Sequence, residues 1–184
     1  MRIAFAAALL AACLPRLAAA DEFTDTVESA LQAYRGGDID GARADLDFAS
    51  QLLASAKAKG LTTFLPAAPE GWTREEGEDQ TAAMAMFGGG VSSAAVYRKG
   101  ESEFTLTLVA DSPMVSSVAA MLGGVAGISG METRRIKRQV FAVHDGQVQG
   151  VVDGRVLVSA EGSATADEMF AVIEQMDFDA LKSF

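Results

Sequence analysis

The chain has 184 residues, with 25 acidic and 15 basic side chains and a net charge of −10 at pH 7. That balance argues against a nucleic-acid partner, because phosphate binding is driven by basic surface. The single cysteine excludes an intramolecular disulfide framework, and the single histidine leaves one residue for any histidine-based catalysis.

Met1-Arg2 supplies one positive charge, Ile3 through Leu14 form an apolar run without charge, and Pro15-Arg16 break it. Leu17-Ala18-Ala19-Ala20 then presents small residues immediately before Asp21-Glu22. This order predicts a secretory signal peptide over residues 1–20, cleaved after Ala20, and a periplasmic or secreted mature chain. The apolar run is well short of the roughly 20 apolar residues a membrane-spanning helix needs, and no other segment is long enough either, so the mature chain is expected to have no transmembrane segment. Cleavage takes Arg2, Arg16 and Cys13 away, leaving 13 basic against 25 acidic residues, a net charge of −12. The mature protein then has no thiol, and its stability must come from burial. Leu10-Ala11-Ala12-Cys13 resembles the lipobox of bacterial lipoproteins, which implies the alternative of an anchor through lipidated Cys13. A mature terminus at Asp21 distinguishes the two.

Phe23, Val27, Leu31 and Tyr34 recur at helical spacing, and Gly36-Gly37 end that helix as a C-cap pair. Asp38 is the expected N-cap of a second helix with Ala42, Leu46, Ala49, Leu53 and Ala56 on one face and Gly60 closing it. Residues 21–60 thus read as a helical hairpin. The wording from Ala30 through Tyr34, Gly36-Gly37-Asp38-Ile39, Ala42, Leu46 and Ala49 resembles a single tetratricopeptide unit. Such units are stable through stacking, and no second copy follows, so the hairpin is expected to pack on the rest of the chain.

Pro66 and Pro69 make residues 61–72 an extended linker, and the third region, residues 73–184, reads as an antiparallel α+β domain. Val91 to Lys99 is β-prone, Gly100-Glu101 is a turn, and Phe104, Leu106 and Leu108 alternate with polar residues, which gives a hairpin with one buried face. Asp111 or Ser112 can cap a helix carrying Met114, Val115, Val118, Met121 and Leu122 and failing at Gly123-Gly124. Glu132–Arg138, Gln139–His144, Gln147–Val152 and Arg155–Ala160 are β-prone, with tight turns at Asp145-Gly146 and Asp153-Gly154. Thr165 and Glu168 make a capping box for a last helix presenting Met169, Phe170, Val172, Ile173 and Met176 to the sheet. The expected order is β-β-α-β-β-β-α. Pro69-Glu70-Gly71-Trp72, Tyr97 and this order resemble the PsbP-like fold of photosystem accessory and small bacterial envelope proteins, covering residues 66–180. That resemblance implies a non-enzymatic accessory or binding role and supplies no site residues.

No catalytic residue or cofactor site is expected. His144 beside a turn reads as a polar strand end, and no serine lies in a nucleophile elbow. Glu75, Glu76, Glu78 and Asp79 read as a solvated loop, since the alternating ligands and central glycine of a calcium loop are missing. Gly88-Gly89-Gly90 lacks the lysine of a phosphate loop. Met84, Met86, Met114, Met121 and Met131 suit Cu(I) by ligand type, with Met84 and Met86 the metal candidates. The preferred alternative is core filling, above all by Met114 and Met121, seven apart on one helix. Met84, Met86, Phe87, Met114 and Met121 also outline a candidate surface for an apolar ligand or partner. The run Arg134-Arg135-Ile136-Lys137-Arg138 is expected to be neutralised by acids of the same chain. The chain therefore reads as an exported, non-enzymatic binding or accessory protein of the bacterial cell envelope. Its expected partner is an unknown envelope protein or an apolar small molecule, with lipid binding and methionine-based copper handling as alternatives.

Overall fold

The computed structural model describes residues 18–77, 84, 89–125 and 132–184. Helix α1 (Ala18–Arg35) and helix α2 (Ile39–Thr62) open the chain, and the division between its two compact units, residues 1–52 and 53–184, falls inside α2. The turn between the helices has a local cause. Gly37 takes φ 82°, the Asp38 N–H reaches the Ala33 carbonyl at 2.9 Å, and the Gly37 N–H reaches that of Tyr34 at 3.1 Å, so both glycine-terminated bonds of a Schellman cap are made. Asp38 then caps α2, its Oδ1 accepting from the Gly41 N–H at 2.9 Å. α2 runs two residues past the expected stop at Gly60.

The second unit is an α+β fold on a seven-stranded antiparallel sheet, ordered β1-β2-β3-β7-β6-β5-β4. Its strands are β1 (Thr73–Glu76), β2 (Val91–Lys99), β3 (Ser102–Ala110), β4 (Glu132–Ile136), β5 (Gln139–His144), β6 (Gln147–Val152) and β7 (Val156–Gly162). Helix α3 (Pro113–Val125) follows β3 and carries the chain to the far edge, while α4 (Ala166–Ile173) and α5 (Phe178–Lys182) follow β7.

Class and antiparallel pairing are as the sequence predicts, but the order of strands and helices from Thr73 on, among the described residues, is β-β-β-α-β-β-β-β-α-α. Each extra element has a physical reason. Lys137 and Arg138 form a two-residue turn with φ of 43° and 74°, so the β-prone run from Glu132 folds on itself without any glycine. β1 is four residues long, Thr-Arg-Glu-Glu, and its charge suits an edge strand and hides it from an apolar-pattern search. The last helix stops at Ile173, and Asp177 caps the new helix α5, its Oδ1 accepting from Asp179 and Ala180 at 3.1 and 3.0 Å. The Asp145-Gly146 and Asp153-Gly154 turns form as expected, all four residues having positive φ.

The main core lies on one sheet face. Tyr97, Phe104, Leu106, Leu108, Phe141, Val148 and Val158 project from the strands, and Leu61 of α2, Met169, Phe170 and Ile173 of α4, and Phe178 and Leu181 of α5 close over them. Gly150 sits opposite Phe141 across the β5–β6 pair, where a Cβ would fall 2.5 Å from the ring. The opposite face holds a smaller cluster, Met84, Val109, Val115 and Leu157, which α3 covers together with Val118.

The capping box on α4 is complete: the Glu168 N–H donates to Thr165 Oγ1 at 3.3 Å, and the Thr165 N–H donates to Glu168 Oε2 at 3.0 Å. The Thr165 backbone and hydroxyl bonds hold the Glu168 carboxyl below its ordinary pKa of 4.5. A carboxylate depressed in the folded state stabilises above its unfolded pKa and stops doing so as pH falls through the folded one. Thr165→Ala is therefore expected to cost about 1 kcal/mol at pH 7. The cost should shrink below about pH 4.5, as urea titrations of both proteins across pH 3–7 would show. A loss that does not change with pH would deny the carboxylate its part in the cap.

Candidate functional site

The hairpin leaves an apolar flank uncovered. Its seam is built from small residues, with Ala30 of α1 and Ala42 and Ala49 of α2 buried and Ala33 half-buried. Alanine lets two helices approach closely but fills little volume, so the larger apolar side chains fall beside the seam rather than in it. Val27, Leu31 and Tyr34 share one face of α1 at i, i+4 and i+7, with Tyr34 four residues on from Ala30, and Leu46 lies four on from Ala42. In an antiparallel pair, positions with the same rotational offset from the seam share one side. These residues and Ile39 therefore line a single flank, and they are 36–65% exposed.

The electrostatics of the same segment are one-sided. Between residues 21 and 52 there are eight carboxylates against two guanidinium groups, Arg35 and Arg43. Only Arg43 forms an ion pair there among the described residues, a 4.0 Å contact with Asp47 on the open helix surface. The apolar stripe thus lies within a strongly acidic segment.

Of the residues singled out from sequence, Met86, Phe87, Met131, Glu78 and Asp79 lie outside the described residues. Met84 is buried among Val109, Val115 and Leu157, where its thioether has apolar neighbours. Met114 and Met121 do not fill the core: they are 39% and 47% exposed on the outer side of α3, whose inner side is taken by Val115 and Val118. α3 also continues through Gly123-Gly124 to Val125 instead of stopping there. His144 pairs at 3.1 Å with Asp145 at an open turn, and both side chains are largely exposed. Glu75 shares Arg98 with Glu103 in an ion-pair network on the sheet surface. Arg134 is neutralised within the chain by Asp167 at 3.0 Å and Glu174 at 3.3 Å, with its guanidinium 4.7 Å from the Phe170 ring centre. Lys137 donates to the Met176 carbonyl at 2.9 Å.

Among the described residues, no three His, Cys, Asp or Glu side chains are arranged to hold a metal ion, and no helix is long and apolar enough to cross a membrane. Comparisons with models of protein families, with curated proteins and with solved structures find no match to this chain. The hairpin flank was within reach of sequence reasoning as a periodic stripe. Which side of the stripe the partner helix covers was not, because the alanines that form the seam carry little hydrophobic signal.

Proposed function

We propose that this chain is an exported, non-enzymatic accessory protein of the bacterial cell envelope that holds a partner on the flank of its helical hairpin. The observation that carries the proposal is the uncovered stripe of Val27, Leu31, Tyr34, Ile39 and Leu46 within a strongly acidic segment. Apolar area of this kind favours association, and the acidity of the segment selects charge. The occupant that fits is a basic amphipathic helix, laid along the stripe as a third helix with its lysines or arginines facing the carboxylates. A second copy of the chain fits less well, since two such acidic segments would repel each other. Export is supported by the charged start, apolar run and small-residue site of residues 1–20.

A photo-crosslinker placed at Leu31 or Leu46 in native cells tests the proposal. Capture of one protein through a basic helical segment, abolished in a Leu31→Ser/Leu46→Ser background, is the expected result. Both residues are exposed, so the double variant should stay folded. Crosslinks only between copies of the chain, or none at either position, would overturn it. The mass of the recovered chain checks export at the same time, a start at Asp21 being expected and a lipidated Cys13 being the alternative.

A second reading, contact with an apolar ligand or lipid through α3, rests on its lack of any charged residue and on the outward Met114 and Met121.

A further inference from the structure

Helix α3 contains no charged side chain, and Ser116 and Ser117 are its only polar ones. Two of its residues are thioethers, Met114 and Met121, seven apart and so about two turns along the same face. They are 39% and 47% exposed, while Val115 is buried in the small cluster with Val109 and Leu157. Three other methionines stand in contrast. Met84 is buried in that small cluster, and Met169 and Met176 are buried in the main core with Phe170, Ile173 and Phe178.

A thioether is a soft nucleophile that accepts one oxygen atom from a peroxide. With hydrogen peroxide, the sulfur lone pair attacks one oxygen, the O–O bond breaks, and sulfur loses two electrons to give a sulfoxide while the other oxygen leaves as water. The oxidant must reach the sulfur from solvent. That route is open at Met114 and Met121, whose side chains meet water, and closed at the three buried methionines unless the structure opens around them. The product follows the same division. A sulfoxide oxygen on α3 can be hydrated, whereas one in the main core would be a buried acceptor without a donor.

We propose that Met114 and Met121 form an oxidation site that takes oxygen from hydroperoxides while the fold stands, and that the two sulfoxides convert the exposed face of α3 from apolar to polar. The composition of α3 makes the change large, because no charged residue already supplies polarity on this helix. A methionine sulfoxide reductase restores the thioethers.

Brief treatment of the full chain with hydrogen peroxide, followed by peptide mass mapping, tests the assignment. Met114 and Met121 are expected to oxidise at least about tenfold faster than Met84, Met169 and Met176. The oxidised chain should keep its cooperative urea transition and elute earlier from a hydrophobic-interaction column, and reductase treatment should restore the original retention. Met114→Leu/Met121→Leu keeps the apolar volume without the sulfur, and both positions are exposed, so this variant should stay folded. Its retention shift after the same treatment should be smaller than that of the parent. Equal oxidation rates at the exposed and buried methionines would overturn the proposal. So would loss of the urea transition once α3 is oxidised, or a retention shift as large in the double variant as in the parent.

Discussion

Phe104→Ala is expected to remove about 4 kcal/mol of unfolding free energy and to lower the thermal midpoint by roughly 10 °C. Phe104 is 1% exposed on β3, the strand that joins the two halves of the sheet. Its ring is stacked on Tyr97 with centres 5.1 Å apart and meets the edge of Trp72 at 5.5 Å. Truncation therefore loses two aromatic contacts as well as the transfer energy of the side chain. The cavity cannot close easily, because Tyr97 is tethered through its hydroxyl to Pro66, and Lys99 lies over the outer Trp72 ring. Phe104→Leu keeps most of the volume and should cost less than about 1.5 kcal/mol. Urea denaturation of the three proteins measures both differences. A loss below about 2 kcal/mol for the alanine variant would mean that the core relaxes around this position.

The parts of the fold that were legible in the sequence are those whose cause is local. Asp145-Gly146 and Asp153-Gly154 place positive-φ residues where a tight turn needs them, and Thr165 with Glu168 satisfies helix amides by itself. The alternation of Phe104, Leu106 and Leu108 marks a strand with one buried face whatever its partners are. Lys137-Arg138 is a turn of the same geometry as the Asp-Gly pairs, yet neither residue favours positive φ, so only the pairing of β4 with β5 imposes it. Met114 and Met121 mislead for a related reason. α3 has apolar residues on all sides, and a spacing of seven shows that two residues share a face without showing which face meets the sheet.

The hairpin flank and the surroundings of Arg74 differ in the same way. The hairpin flank is visible as periodicity within residues 23–46, and only its exposure comes from the structure. Lys59, Thr62 and Thr63 come together with Arg74 and Glu76 across a proline-containing linker, and the buried Arg74 Nε has no hydrogen-bond partner among the described residues. A sequence shows which side chains can pair but not which one is left without a partner.

That argument extends to backbone approach, where the second large effect is expected. Gly162→Ala should cost about 3 kcal/mol. Gly162 ends β7 opposite Phe104, and a Cβ there would lie 2.2 Å from the Glu103 carbonyl oxygen and 2.5 Å from the Phe104 Cα. Both obstacles are backbone, so no side-chain rotation relieves them. The same Glu103 carbonyl accepts from the Ser163 and Ala164 amides at 2.7 and 3.1 Å, which pins the chain where it leaves the sheet for α4. Moving β7 away from β3 to admit a methyl group would stretch those bonds and disturb the packing under Phe104. Gly150→Ala provides the comparison, because there the clash is with the Phe141 ring, a side chain that can turn by a few degrees. Gly162→Ala should therefore be the more destabilising of the two in parallel urea titrations. The reverse order would show that the β3–β7 junction yields more readily than the aromatic core, and that the two halves of the sheet are joined less firmly than their register implies.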